Sequence, residues 1–433
     1  MEMVLKINIT SQALPIIKLF LRWPAALALN FLAVSALALS PEKAKDWQED
    51  LQVYRTVLAQ KHIDVFHQLP EGEMDAYLSK LNSSLLVLTQ EQLWVELMRL
   101  TQRVGDGHTT VPLWQQETQN FPFEVKILQN HAYITAATAK HKSLLGSELL
   151  SINGEDVAAV IKAVSALVPF SENVYSNAVR TGQYLLNAQV LMGLGVIAGG
   201  SELTLGFQTE NKKVYVQSLA VKSPQFSHRL TMNMLEPIKV IEKENDDLWF
   251  GSPDKGRTAY VKFHRYPSYG DMEDFSDELL EYINKQKTKN LVIDLRGNYG
   301  GDFFVGLKLA HRLVLADSID WKHGVYTLID NETFSAAMSN AAQFQQLLNA
   351  KLVGQATGAK PSGYQDMGQF TLPNSGLVVT YSKRLYHFQK TAAPAVFPDV
   401  PIALTIDDYR KGQDRSLNWV WSDIKRREKS AKR

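Results

Sequence analysis

The stretch GVYTLIDNETFSAAMSNAAQFQQLL, residues 324–348, joins a strand pattern to a helix pattern through a short polar turn. Its first part is apolar and β-branched and ends at Asp330, which predicts a buried strand. Apolar residues then recur on one helical face, at Ala337, Ala341, Phe344 and Leu348. Ser335 therefore lies where a strand turns into a helix, with Asn331 and Thr333 as alternative residues to cap that helix.

A serine in this position has two interpretations. The local one is a helix cap, because serine oxygens accept hydrogen bonds from the free amides at helix N-termini. The chemical one is a nucleophile, because such a turn directs free N–H groups and the positive end of the helix dipole at an anion. The stretch alone leaves both interpretations open.

Strand and helix patterns alternate through the surrounding sequence from about Thr258 onward. The strand patterns are AYVKFHRY, LVIDLR and GVYTLID, and the helix patterns are FSDELLEYINK, FFVGLKLAHRLV and SAAMSNAAQFQQLL. Strands that alternate with helices of roughly 10 to 15 residues indicate βαβ units. The sequence thus predicts the α/β class, with a parallel or mixed sheet and helices packed on it.

Two other patterns precede this region. Residues 46–104 show helical periodicity, including a T-x-x-Q capping box at Thr89. Residues 121–221 contain short β-like runs, with a tight-turn signal at Asn153-Gly154. We expect an N-terminal helical module at 42–115, a β-rich module at 120–222 and an α/β catalytic core at 245–425.

The N-terminus is typical of a secretory signal. An apolar run, WPAALALNFLAVSALALS, closes with Ala36-Leu37-Ala38 and follows the basic residues Lys6, Lys18 and Arg22. We interpret residues 1–38 as a signal peptide, with an uncleaved membrane anchor as the alternative. Either predicts export to the periplasm or the exterior. No stable membrane insertion is expected after cleavage, because no other stretch approaches the roughly 18 apolar residues of a spanning helix.

Composition excludes several classes of function. The 433 residues carry 46 Lys and Arg against 45 Asp and Glu, a net charge of +1, so no global basic field attracts nucleic acid. The chain has no cysteine, which excludes thiol nucleophiles, thiolate metal sites and disulfides.

A glycine-rich turn follows the predicted strand in LVIDLRGNYGGD, residues 291–302. Gly297, Gly300 and Gly301 permit positive φ and close approach, so backbone N–H groups can point at an oxygen atom. The turn lacks the Gly-Lys-Ser/Thr ending of a P-loop. The alternative is an ordinary tight turn between a strand and a helix.

Two residues could activate a serine. His108 is flanked by glycine in GDGHT, residues 105–109, and a neutral histidine is the usual base for a hydroxyl nucleophile. His62 and His67 are better interpreted as packing or surface residues of a helix. Lys360 lies in the loop VGQATGAKPSGY, where burial could lower a lysine pKa enough for it to act as a base. The alternative is an exposed surface lysine.

In order along the chain, DGHT, GSELLSINGEDV, IDLRGN-x-GG, T-x-SAA and VG-x-x-TG-x-KP resemble the landmarks of the S41 peptidases. That family includes tail-specific (C-terminal processing) proteases, tricorn protease and retinol-binding modules. The resemblance covers roughly residues 45–420. It implies a mixed α/β fold with a crotonase-like ββα core and a PDZ-like module, which would take up the C-terminus of a substrate chain by strand addition.

The resemblance also implies roles for residues of the site. Ser335 would attack the carbonyl, backbone amides near Gly300 and at Ala336 would form the oxyanion hole, and Gly301 and Gly358 would contact substrate. Tricorn-like members use a histidine as the base and tail-specific members use a lysine, so His108 and Lys360 are both candidates. We favour His108, because GDGHT is intact while Ala359-Lys360-Pro361 departs from the Gly-Lys-Gly pattern around the processing-protease lysine.

Two departures from the family pattern concern the site. Tyr299 stands where many relatives carry a glycine, and residues 391–397 contain no acid that could orient His108. The resemblance implies an exported serine-type peptidase that cleaves a peptide or protein substrate through an acyl-enzyme, without metal or organic cofactor. The alternatives are a non-catalytic binding protein for an apolar ligand or a peptide, and a hydrolase of non-peptide esters or amides.

Overall fold

The computed structural model describes residues 38–199, 202–209, 212–219, 221–222, 229–233 and 238–430. Residues 1–38 are interpreted as a signal peptide, and all of them except Ala38 lie outside the described residues. Within the described ranges, no helix combines the length and the apolar character needed to cross a membrane.

The described ranges contain helices of 6 to 21 residues. The helices are α1 Pro41–Lys61, α2 Glu71–Ser83, α3 Gln90–Gln102, α4 Val157–Ser165, α5 Val174–Tyr184, α6 Ala188–Gly193, α7 Tyr269–Gln286, α8 Phe303–Leu313, α9 Ala336–Leu347, α10 Ile406–Lys411 and α11 Arg415–Ser430. The predicted capping box at Thr89 is present at the start of α3.

The strands fall into sheets and a long hairpin. They are β1 Gln119–Asn120, β2 Phe123–Leu128, β3 His131–Thr138, β4 Glu148–Ile152, β5 Glu155–Asp156, β6 Glu202–Gln208, β7 Lys213–Leu219, β8 Val221–Lys222, β9 Arg229–Thr231, β10 Lys239–Lys243, β11 Leu248–Ser252, β12 Thr258–Phe263, β13 Asn290–Asp294, β14 Val325–Ile329, β15 Lys351–Gly354, β16 Ser362–Thr371, β17 Val378–His387 and β18 Val400–Pro401. The predicted tight turn between β4 and β5 has positive φ at both Asn153 and Gly154.

The C-terminal half is built on a mixed sheet in the order β10-β11-β12-β13-β14-β15-β18. Strands β12, β13, β14, β15 and β18 run parallel in this sheet, while β10 and β11 are antiparallel strands at one edge. Helices α7, α8 and α9 bury one face of the sheet, and α11 covers the other. The predicted mixed α/β class is confirmed, and its crotonase-like detail stays a prediction.

The site lies where β13 and β14 end side by side. Parallel neighbours bring the turns that follow them to the same edge of the sheet. The Phe334 amide donates to the Asn298 carbonyl at 3.0 Å, and Thr333 Oγ1 donates to the Leu295 carbonyl at 3.0 Å. These bonds hold the glycine-rich turn and the serine turn against each other.

The N-terminal half shares one apolar core between the helices α1–α3 and the antiparallel sheet that contains β2, β3, β4, β6 and β7. The core continues through the predicted boundary at 115–120, and the module boundaries stay a prediction.

The hairpin β16–β17 reaches into this core with Leu372, Leu377 and Val379. At its turn, the amides of Asn374 and Ser375 donate to the buried Asp50 carboxylate of α1 at 2.9 and 2.7 Å. The hairpin therefore connects the two halves.

Candidate active site

Ser335 occupies a strained position immediately before α9. Its φ and ψ are 51° and −124°, a region that non-glycine residues rarely adopt and that costs about 1–3 kcal/mol. Although it holds the N-cap position, its side chain does not cap the helix. Instead, Oγ lies 2.9 Å from Nε2 of His108. The helix-cap interpretation of Ser335 is therefore wrong, and the backbone conformation is that of a sharp strand-to-helix elbow.

The turn before Ser335 is held by Asp330 at the end of β14. Its carboxylate accepts from the Gly297 amide at 3.1 Å and from the Thr333 amide at 2.9 Å. The same carboxylate accepts from the Glu332 amide at 3.0 Å. A single side chain thus fixes both turns of the site, which explains how the strained serine conformation is maintained.

The loop of His108 is fixed by Asp106. The Asp106 carboxylate accepts from the amides of His108 and Thr109, each at 2.9 Å, and from Ser382 Oγ of β17 at 2.6 Å. Thr380 Oγ1, on the same strand, donates to the His108 carbonyl at 2.7 Å. The loop is therefore carried by β17, and His108 is placed over a serine 227 residues away in sequence.

His62 completes this arrangement and was missed by sequence reasoning. Helix α1 ends at Lys61, so His62 does not belong to a helical face. The Asp64 amide donates to His62 Nδ1 at 2.8 Å, which leaves Nε2–H to donate to Asp106 at 3.0 Å. The buried imidazole thus supports the loop of His108. No sequence signal connects His62 to Asp106, because their contact depends on how α1 packs.

Burial dominates the electrostatics of His108. It lowers the pKa of the imidazole below its usual 6.5, against the opposing effect of the Asp106 carboxylate. The ring is therefore neutral at neutral pH and can accept the Ser335 proton at Nε2. The Tyr364 carbonyl lies near the ring, yet Nδ1 makes no hydrogen bond of ordinary geometry within the described part of the chain. Over those residues the site is a serine–histidine pair without an orienting acid.

Lys360 is not brought to Ser335. It lines a separate cavity together with Glu172, while His108 and Ser335 share another cavity. Burial raises the pKa of Glu172 to about 8, and the nearby Lys360 opposes that rise. Of the two candidate bases, the structure places only His108 within hydrogen-bonding distance of the serine.

The glycine turn packs directly on Ser335. A Cβ at Gly300, whose φ is 103°, would lie 2.7 Å from the Ser335 Cβ and 2.9 Å from the Ala336 nitrogen, so only glycine fits. The Gly300 amide donates to Asn298 Oδ1 at 2.9 Å. Among the described residues, the amides of Gly301 and Ala336 donate no hydrogen bond. These two amides are free to receive an anion, whereas Gly300 would first have to release Asn298.

The two glycines predicted to contact substrate are placed differently. Gly301 lines the cavity of Ser335. Gly358 does not line it, and its amide donates to the Thr333 carbonyl at 2.9 Å, beneath the serine turn. The structure therefore associates Gly358 with support of the turn.

Tyr299, the departure from the family pattern, forms part of the cavity wall. Its hydroxyl donates to Glu332 at 2.8 Å and accepts from Gln183 at 2.7 Å. The ring thereby closes one side of a cavity of about 790 Å³ that contains Ser335 and His108.

Part of the chain matches a known family, and the whole fold is similar to solved structures. Residues 309–402, a segment that contains Ser335, match the family model described as peptidase family S41. Among solved structures, mature CPAF is 14% identical with a TM-score of 0.60, over 87% of this chain and 96% of that one. Mature CPAF complexed with lactacystin is 15% identical with a TM-score of 0.60, over 88% and 97% of the two chains. These similarities concern the fold. No curated protein sequence matches the chain.

The electrostatics predict the pH dependence of Ser335 reactivity. In the wild type, reaction with a fluorophosphonate should rise with pH through a midpoint below 6.5, because the pKa of His108 is lowered by burial. Asp106→Asn should move this midpoint to still lower pH, because the Asp106 charge raises the pKa of His108. It should also slow the reaction roughly tenfold, as expected for loss of charged hydrogen bonds in the loop.

The rate of fluorophosphonate labelling as a function of pH measures both effects. Asp366→Asn is the matched control, because the Asp366 carboxylate also raises the pKa of His108 but less strongly. An unchanged midpoint in Asp106→Asn, or an equal shift in the two variants, would contradict the assigned electrostatics.

Proposed function

We propose that the chain is a serine-type peptidase of S41 type, in which Ser335 and His108 hydrolyse peptide bonds through an acyl-enzyme. The match of residues 309–402 to the peptidase S41 family model supports this proposal, and it also supports a peptide or protein as the substrate. The assignment of the two residues rests on one observation, the 2.9 Å between His108 Nε2 and Ser335 Oγ at a strained helix N-terminus.

The mechanism follows from that contact. Ser335 Oγ attacks the scissile carbonyl carbon while His108 Nε2 takes the hydroxyl proton. The tetrahedral intermediate collapses, the C–N bond breaks, and the leaving amine receives the proton from His108. Water then attacks the Ser335 ester, His108 accepts a proton from that water, and the proton returns to Ser335 as the acid product leaves.

The oxyanion is held by backbone amides. The Ala336 amide opens α9, where the helix dipole adds a favourable field for negative charge. We propose Gly301 as the second donor, with Gly300 able to take this role only when Asn298 releases its amide. Removing one such donor typically lowers the rate by roughly 100-fold to 1000-fold.

Among the residues that the structure describes, no carboxylate binds the ring of His108 to orient it. Its ring stacks on Phe334 at a centroid distance of 5.4 Å and an angle of 28°. Its backbone is held by Asp106 and by Thr380. Packing and loop hydrogen bonds thus supply the orientation that an acid supplies in a triad.

The decisive experiment is fluorophosphonate labelling mapped by mass spectrometry. Wild type should be labelled at Ser335, and both Ser335→Ala and His108→Ala should abolish labelling. Labelling that persists in Lys360→Ala assigns the base to His108, and labelling lost only in Lys360→Ala assigns it to the lysine. A folded wild type that remains unlabelled would favour the alternative of a binding protein.

We further propose that the β-rich module is PDZ-like and takes up a substrate C-terminus along β2, beside a crotonase-like core. Strand β2 lies at an edge of the antiparallel sheet. A groove of about 460 Å³ is lined by residues of β2 and α5 and continues to Tyr299 and Glu332. Tyr299 also forms part of the wall of the Ser335 cavity. A peptide in this groove would point towards the catalytic pair.

Deleting the β-rich module would not test peptide binding alone, because the module shares an apolar core with the N-terminal helices and its loss would also disrupt their packing. Val179→Trp, which fills the groove, should weaken binding of a peptide with a free C-terminus to Ser335→Ala protein at least tenfold. Val174→Trp is the control, because Val174 is exposed at the start of the same helix. Equal affinities in fluorescence anisotropy would exclude the groove.

Residues 1–38 support a final proposal, that the protein is exported to the periplasm or the exterior without stable membrane insertion or a nucleic-acid partner. N-terminal sequencing of the protein recovered from its natural host tests this proposal. A mature chain that begins close after Ala38 is expected, and one that begins at Met1 would contradict signal cleavage.

A further inference from the structure

A guanidinium group projects into the cavity of the catalytic pair. Arg180 of α5 places Cζ 4.3 Å from the ring centroid of Tyr299, 5.3 Å from that of Phe170 and 5.7 Å from that of Phe334. Phe334 immediately precedes Ser335 and stacks on His108. One aromatic ring therefore separates the Arg180 charge from the catalytic pair.

This charge has no carboxylate partner within the described ranges. The hydrogen bond that Arg180 makes there runs from Nη1 to Gln183 Oε1 at 3.0 Å. Glu332 lies near enough to influence Arg180, but it binds Lys126 and Tyr299 instead. The remaining guanidinium N–H groups of Arg180 are left to the cavity.

The other charged groups lining the cavity are engaged. Arg384 pairs with Asp366 at 3.2 Å, and Lys383 also pairs with Asp366 at 3.0 Å. The Asp302 carboxylate caps α8 by accepting from the Phe304 amide at 2.9 Å. Among the described residues that line the cavity, Arg180 is thus the cationic side chain that pairs with no carboxylate.

Arg180 is half-buried. A half-buried charge without a counterion is unfavourable, and a ligand carboxylate would compensate it. Guanidinium groups bind carboxylates through paired, charge-assisted hydrogen bonds, and the surrounding rings exclude water from such a pair. We infer that Arg180 forms a subsite for a carboxylate of the substrate, next to the bond that Ser335 attacks. This inference rests on the proposed peptidase function.

The carboxylate can come from an Asp or Glu side chain or from the C-terminus of the substrate. The test uses quenched fluorescent peptides that carry Glu or Gln at each position around a central cleavage site, all with an amidated C-terminus. A second set carries neutral side chains and either a free or an amidated C-terminus. In wild type, one carboxylate position should raise kcat/KM at least about tenfold over its matched amide.

Arg180→Gln should reduce that ratio to near one, and Arg180→Glu should instead favour a Lys-containing peptide. Arg384→Gln is the matched control, because it removes a paired positive charge from the same cavity and should retain the ratio. Arg180→Lys keeps the positive charge but lacks the paired N–H donors of the guanidinium group. It should give an intermediate ratio of kcat/KM for the carboxylate peptide over its matched amide. It also provides a variant of near-native volume should the others fail to fold.

Three outcomes separate this inference from the proposed function. Wild type that is labelled by a fluorophosphonate at Ser335 but cleaves acid and amide peptides equally overturns the subsite alone. A carboxylate preference that survives in Arg180→Gln also overturns it. Wild type with neither labelling nor cleavage overturns the peptidase assignment, and the subsite inference with it.

Discussion

The hydrogen bonds between the loop of residues 105–110 and strand β17 carry His108 across to Ser335. Thr110 and Thr380 exchange backbone hydrogen bonds at 3.3 and 2.9 Å, and Ser382 binds Asp106 beside them. The loop belongs to the N-terminal half. Strand β17 belongs to the hairpin that follows β15 of the C-terminal half. Without this contact, the serine elbow would remain intact while lacking its base.

The same constraint explains the distribution of polar residues in the interior. Asp106, His62, Thr380 and Ser382 are all buried, yet each has a hydrogen-bonding partner. Buried polar groups that are fully paired specify one arrangement, because any shift leaves a donor or acceptor unsatisfied. The position of His108 is therefore set by buried hydrogen bonds that hold the GDGHT segment against β17.

Local sequence patterns predicted much of the fold, including the strand and helix on either side of Ser335 and the capping box at Thr89. These features depend on neighbours within a few residues. The turn containing Ser335 was located correctly, but its backbone strain and the absence of a capping bond were not visible in the sequence. Contacts between distant segments were also invisible, such as His62 with Asp106 and Asn298 with the Gly300 amide. Arg180 carries no motif at all, because only the fold of α5 brings it to the cavity.

The two residues of the proposed catalytic pair lie on segments anchored in different apolar cores. Val104 and Val111, on either side of the His108 loop, belong to one core, and Phe334, immediately before Ser335, belongs to the other. A chain that has completed only one core therefore possesses a nucleophile without a base, or a base without a nucleophile. The proposed activity would therefore depend on the folding of both halves, although one half alone builds the turn that holds the nucleophile.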